Sequence, residues 1–171
     1  FSKEMKIITI ILTLLSNFCI AQSWHKYSVG KITVSFPHKP SVGYFDAARK
    51  NVMVRDTNLY STFILKYDSL KQKVSKDDTR KAEKIVNDYL TDFIISMNGY
   101  IDKRTTFTLS KTTIQELKCR FRKGNVIIAG KTWIFVNENR IFQITNYYAP
   151  NTDRDVLPDQ NKFFKSITIK E

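Results

Sequence analysis

Hydrophobic and polar positions alternate along this chain with two different periods, and the changes of period mark out its elements. Over residues 111–149 the period is two. Leu117, Cys119 and Phe121 interleave with Lys118, Arg120 and Arg122, which predicts a strand with one buried and one wet face. Residues 126–136 and 140–148 are apolar at nearly every position, as expected of strands covered on both sides. Turn residues at Lys123-Gly124-Asn125 and Asn137-Glu138-Asn139 join the three into an antiparallel meander.

Over residues 79–98 the apolar positions recur at steps of three and four. Ala82, Ile85, Val86, Tyr89, Leu90, Phe93, Ile94 and Met97 form one wide stripe, opposed by Lys81, Lys84, Asn87, Asp88 and Asp92. This is the signature of a helix lying on a sheet, with Phe93 and Ile94 inward. Its polar face mixes signs, which disfavours a membrane-surface helix. Asp77 or Asp78 is placed to cap its free amides, and Gly99 to close it in a left-handed conformation.

The remaining elements are shorter. Strands are predicted at 24–28 and, after a turn at Gly30, at 31–36, where Ile32, Val34 and Phe36 point inward. Pro37 and Pro40 stop the second of these. Residues 51–55 and 59–67 read as a hairpin across Asp56-Thr57-Asn58, and 68–78 as an exposed polar loop. A further strand at 100–109 leads into the meander. After it, Pro150 and Pro158 bracket an irregular loop, Pro158 opens a short helix through Phe164, and 166–170 form a last strand with Ile167 and Ile169 inward.

At the other end, Met5-Lys6, the apolar run 7–15 and Cys19-Ile20-Ala21 have the order of a secretory signal peptide cut after Ala21, with a short extension before Met5. The apolar run is shorter than the roughly 20 residues a spanning helix needs, and Ser16-Asn17 interrupts it. Lipid attachment through Cys19 is disfavoured by the bulk of Asn17-Phe18 ahead of it. Residues 22–171 are then expected to form a single globular domain, exported to the periplasm or beyond. Within it Cys119 is the lone cysteine, so no intramolecular disulfide can form. Between Leu117 and Phe121 it is expected to be a small buried hydrophobe rather than a reactive thiol.

The order of parts carries a resemblance. Trp24-His25-Lys26-Tyr27, then 34–40 (VSFPHKP), the amphipathic helix, 139–144 (NRIFQI) and 163–167 (FFKSI) resemble the secreted PsbP-like domains across nearly all of 22–171. That resemblance implies an α+β fold, an antiparallel sheet packed between helices as an α/β/α sandwich. It also implies a binding or assembly role rather than catalysis. The manganese association of photosynthetic members finds no matching residues here.

Candidate chemistry is sparse. His25 and His38 stand thirteen positions apart with no cysteine pair or carboxylate at ligand spacing, so both read as surface or edge residues, and neither a metal nor a cofactor is expected. There is no GxSxG, HExxH or glycine-rich phosphate loop. Asp77-Asp78 and Asp153 with Asp155 fall in caps and loops. A hydrolase with a spatially assembled site is the competing reading, since a triad leaves no sequence trace.

Charge is the remaining signal. The chain carries 28 Lys+Arg against 16 Asp+Glu, a formal +12, and only Lys3, Lys6 and Glu4 are lost with the leader, leaving +11. Lys118, Arg120, Arg122 and Lys123 fall along one strand, and Lys131 on its neighbour extends them. A solvated face that resists edge association accounts for such a row. So does a contact with an anionic envelope partner, whether lipid headgroups, acidic polysaccharide or an acidic protein surface. Tyr147 and Tyr148 offer a stacking edge for a sugar, or simply close the sheet end. Nucleic acid is disfavoured because the basic residues are spread over the whole chain and the protein is expected outside the cytoplasm.

Overall fold

A computed structural model describes residues 23–44, 51–75 and 78–170. The expected leader, 1–21, lies outside the described residues, as does Asp77. Strands β1 (His25–Val29) and β2 (Ile32–Phe36) form a hairpin turning at Gly30, whose φ of +55° suits a residue without a Cβ. Three strands follow: β3 (Ser41–Tyr44), β4 (Asn51–Thr57) and β5 (Ser61–Ser69). Helix α1 (Thr79–Met97) precedes the meander β6 (Gly99–Leu109), β7 (Thr112–Lys123), β8 (Val126–Asn137) and β9 (Arg140–Tyr148). A 3-10 turn (Pro150–Thr152), helix α2 (Asp153–Lys165) and β10 (Thr168–Ile169) end the described chain.

The strands form two sheets, one of seven in the order β3-β4-β5-β9-β8-β7-β6 and one of three in the order β1-β2-β10, antiparallel throughout. The continuous apolar run of β8 is explained by its place inside the larger sheet. Ile134 and Phe135 are neighbours in sequence, point to opposite faces and are both fully buried. Ile134 joins Leu117 and Ile141 under Val86 and Leu90 of α1. Phe135 joins Ile114, Phe142 and Ile144 against Ile32, Val34 and Phe36 of the small sheet and Phe163 and Phe164 of α2. The expected α+β, antiparallel fold is present, and the layer opposite α1 combines α2 with a second sheet.

One local expectation, the aspartate cap, holds, and several others change. Asp78 caps α1, its carboxylate accepting from the Lys81 amide at 3.1 Å. Asn98, not Gly99, is the left-handed closing residue, with φ 45°. Asparagine tolerates that region, and Gly99 is needed elsewhere: a Cβ there would sit 2.8 Å from the Arg120 carbonyl oxygen. Pro158 does not open its helix, because α2 already starts at Asp153; the bracketed loop is therefore mostly helix, with proline inside it. The hairpin after β4 turns later than expected, at residues 58–60, where the Asn58 side chain accepts from the Tyr60 and Ser61 amides. Residues 68–78 are not wholly exposed loop, since Asp68 and Ser69 extend β5 and Val74 is buried. Edge strand β3 follows Pro40 where no strand was expected. Ile94 packs against the Leu117 cluster, and Phe93 is half-buried.

Candidate functional site

Pairing in the meander decides where the basic side chains go. Lys118 of β7 faces Lys131 of β8 on one side and Lys103 of β6 on the other. Directly opposed residues of an antiparallel pair share a face, so three lysines stand in a row across three strands. Arg120 and Arg122 continue along β7 on that face, which is the side of the sheet that α2 covers further along. Lys123 has the parity of Cys119 and Phe121 and falls at the hairpin end on the other side of the strand. Lys103 escaped the sequence reading because nothing in β6 alone shows which strand it will face.

Two carboxylates enter this row. A register shift between Ile101 and Lys103 leaves Asp102 in a bulge of β6. From there it takes a two-pronged ion pair from Arg120, with Nη2 to Oδ1 at 2.6 Å and Nε to Oδ2 at 2.9 Å. The Arg120 hydrogen bonds hold the Asp102 carboxyl below its ordinary value. Glu116 pairs with Lys131 at 2.9 Å and accepts from the Trp133 indole at 2.7 Å. Burial would raise its pKa, but the bonds from Lys131 and Trp133 and the charges of Lys131 and Lys118 outweigh it and hold the group low. The Lys131 ammonium also lies 4.7 Å from the Phe164 ring centre, which ties the site to α2. Lys118 and Arg122 have no carboxylate in ion-pair contact among the described residues.

Between this face and α2 lies a cleft of about 340 Å³, lined by Lys118, Arg120, Lys131, Tyr148, Leu157 and Gln160 among others. Arg122 lines a neighbouring depression with Tyr100 and Ile127. The tyrosine pair is split by strand alternation. Tyr148 reaches the cleft, whereas Tyr147 is on the α1 side, half-buried and edge-on to Phe121. Cys119 is buried, and burial pushes its thiol up to about 11.

Elsewhere the fold makes one pairing that spacing did not reveal. His38 donates its backbone amide to Asp56 Oδ2 at 2.8 Å, and its Nδ1 lies 3.3 Å from Oδ1. Asp56 is buried, and the pair borders a cleft of about 520 Å³ with Lys39, Ser41 and Arg55. Ser41 donates its hydroxyl to the Arg55 carbonyl, away from the imidazole. Among the described residues no group of three or more His, Cys, Asp or Glu is placed to hold a metal ion, and no helix is long and apolar enough to cross a membrane.

This architecture recurs in solved structures. Cyanobacterial PsbP (CyanoP) from Synechocystis sp. PCC 6803 matches with a TM-score of 0.64 over 87% of this chain and 94% of that one, at 11% identity. The chain has a PsbP-like fold. A protein of unknown function from Pseudomonas aeruginosa, PA94, matches with a TM-score of 0.52 over 86% of this chain and 98% of that one, at 10% identity. At such identities the likeness is one of fold. No protein-family model and no curated protein matches the sequence.

Proposed function

We propose that this chain is an exported, single-domain, non-catalytic binding or assembly module that holds an anionic partner of the cell envelope. Its contact is the basic face formed by Lys118, Arg120, Arg122 and Lys131 and extended by Lys103; Lys123, expected on that face, has the parity of the other side of the strand. In this reading the leader is cut after Ala21, and 22–171 fold as a sheet between α1 and α2. The observation that supports it most is the cross-strand row of Lys103, Lys118 and Lys131. Like charges directly opposed weaken a sheet, and the two carboxylates nearby are already engaged by Arg120 and Lys131. An anion bound along the row relieves that repulsion, so the unfavourable arrangement makes sense as a binding face.

The test is capture of envelope components by the double variant Arg120→Glu/Arg122→Glu, across a salt series. Lys71→Glu/Lys73→Glu, which changes net charge equally in the loop before α1, is the control. Capture is expected to fall sharply in the first and little in the second. Equal loss in both, or no loss in either, would remove the face as the contact.

A hydrolase is the second reading, and the His38–Asp56 pair is what favours it, since a buried carboxylate orienting an imidazole is half of a general-base device. Hydrolysis of simple aryl esters above background, abolished by His38→Ala, would support that reading against ours.

A further inference from the structure

We infer that the cleft beside Lys118 and Arg120 takes a carboxylate-bearing sugar, such as one uronic acid unit of an acidic polysaccharide. This rests on the anionic-partner reading and specifies its chemistry. The cleft's volume of about 340 Å³ is at the lower end of small-ligand sites, enough for a ring and its substituents but not for an extended chain.

Its wall already displays the recognition chemistry. The planar guanidinium of Arg120 grips Asp102 through two nitrogens, the geometry in which arginine reads a carboxylate. Asp102 is delivered by a bulge at the sheet edge and is exposed. It therefore acts as a tethered stand-in: a ligand carboxylate arriving at Arg120 replaces one planar anion with another, and Lys118 supplies attraction that Asp102 leaves unused. Lys131, engaged by Glu116, forms the inner end of the wall.

The lining away from the cations is built for a polyol. Gln160 is 5% exposed and donates to Asn146 Oδ1 at 2.8 Å. Its side-chain oxygen accepts no bond among the described residues, and the open space beside Gln160 is the cleft. Such an acceptor suits a hydroxyl and repels a bare phosphate oxygen. Tyr148, Pro150 and Leu157 give the apolar surface that the carbon face of a pyranose requires. A bilayer surface fits less well, because Lys131 is recessed, with 18% of its side chain exposed, between the sheet and α2.

The experiment is calorimetric titration of the whole protein with trigalacturonate, its neutral methyl ester, inorganic phosphate, and vesicles of phosphatidylglycerol in phosphatidylcholine. Trigalacturonate is expected to bind, with the methyl ester and the Lys118→Glu variant each at least about tenfold weaker. Lys118→Gln, the milder change, should lie between. Asp102→Asn should tighten binding several-fold, because the stand-in no longer competes. A methyl ester that binds as well as the acid, or an Asp102→Asn variant that binds no tighter, overturns the inference. If phosphate or vesicles bind through Lys118 while trigalacturonate does not, the sugar is wrong and the anionic-partner reading survives. If no probe depends on Lys118, Arg120 or Arg122, both fall.

Discussion

Tyr147 covers Gly130 so closely that a methyl group at position 130 would sit 2.8 Å from its Cδ1 and 3.0 Å from its Cε1. The two face each other in register on β9 and β8, and the tyrosine ring is held edge-on to Phe121 with centroids 5.2 Å apart. A glycine inside a strand is usually a weakness, but here its missing side chain is the space the ring fills. Gly130→Ala is therefore predicted to destabilise the fold by about 1–3 kcal/mol, the usual range for overpacking. Thermal unfolding should show a Tm lower by several degrees. An unchanged Tm would mean that the ring has room to move.

Glu116 gives a pH dependence whose sign follows from its lowered pKa. The group is more acidic folded than unfolded, so its pairing stabilises the protein above the unfolded value and is lost as pH falls through the folded one. Glu116→Gln should lower stability at neutral pH by about 1–2 kcal/mol, the range for charge-assisted bonds after allowing for partial exposure. The gap between wild type and variant should shrink below the ordinary carboxylate range and close in strong acid. Urea titrations at a series of pH values would measure it. A constant gap would mean that shape, not charge, is what the variant removes.

Cys119 is buried, with its thiol lifted to about 11 and its Sγ 3.8 Å from the Gly130 carbonyl oxygen. The folded protein should react with a disulfide reagent at pH 8 no faster than it opens, and at once in denaturant. Rapid labelling of the native protein would contradict the burial of Cys119.

What could be read from the sequence was what depends on periodicity. The stripe from Ala82 to Met97 gave α1, and the interleaving of Leu117, Cys119 and Phe121 with Lys118, Arg120 and Arg122 gave the two faces of β7. The turns at Gly124 and Glu138 followed from residue type, and both adopt positive φ. Non-local effects were not readable. Strand alternation named Lys118, Arg120 and Arg122, but Lys103, Asp102 and Gln160 enter only through the register of β6 and the docking of α2. His38 finds Asp56 across strands with no local pattern to announce it. Gly99 was assigned to the helix end because glycine commonly serves there, whereas the close approach of β7 decides its role. Strand β3 has four residues after a proline, too few for alternation to register.

The small sheet draws β2 from residues 32–36 and β10 from residues 168–169. A growing polypeptide can pair the meander as soon as that portion leaves the ribosome, but Ile32 has no Ile169 beside it until synthesis has passed the final strand. The core around Ile32, Val34 and Phe36 thus closes only once residues 163–169 have been made, and such long sequence separations slow folding.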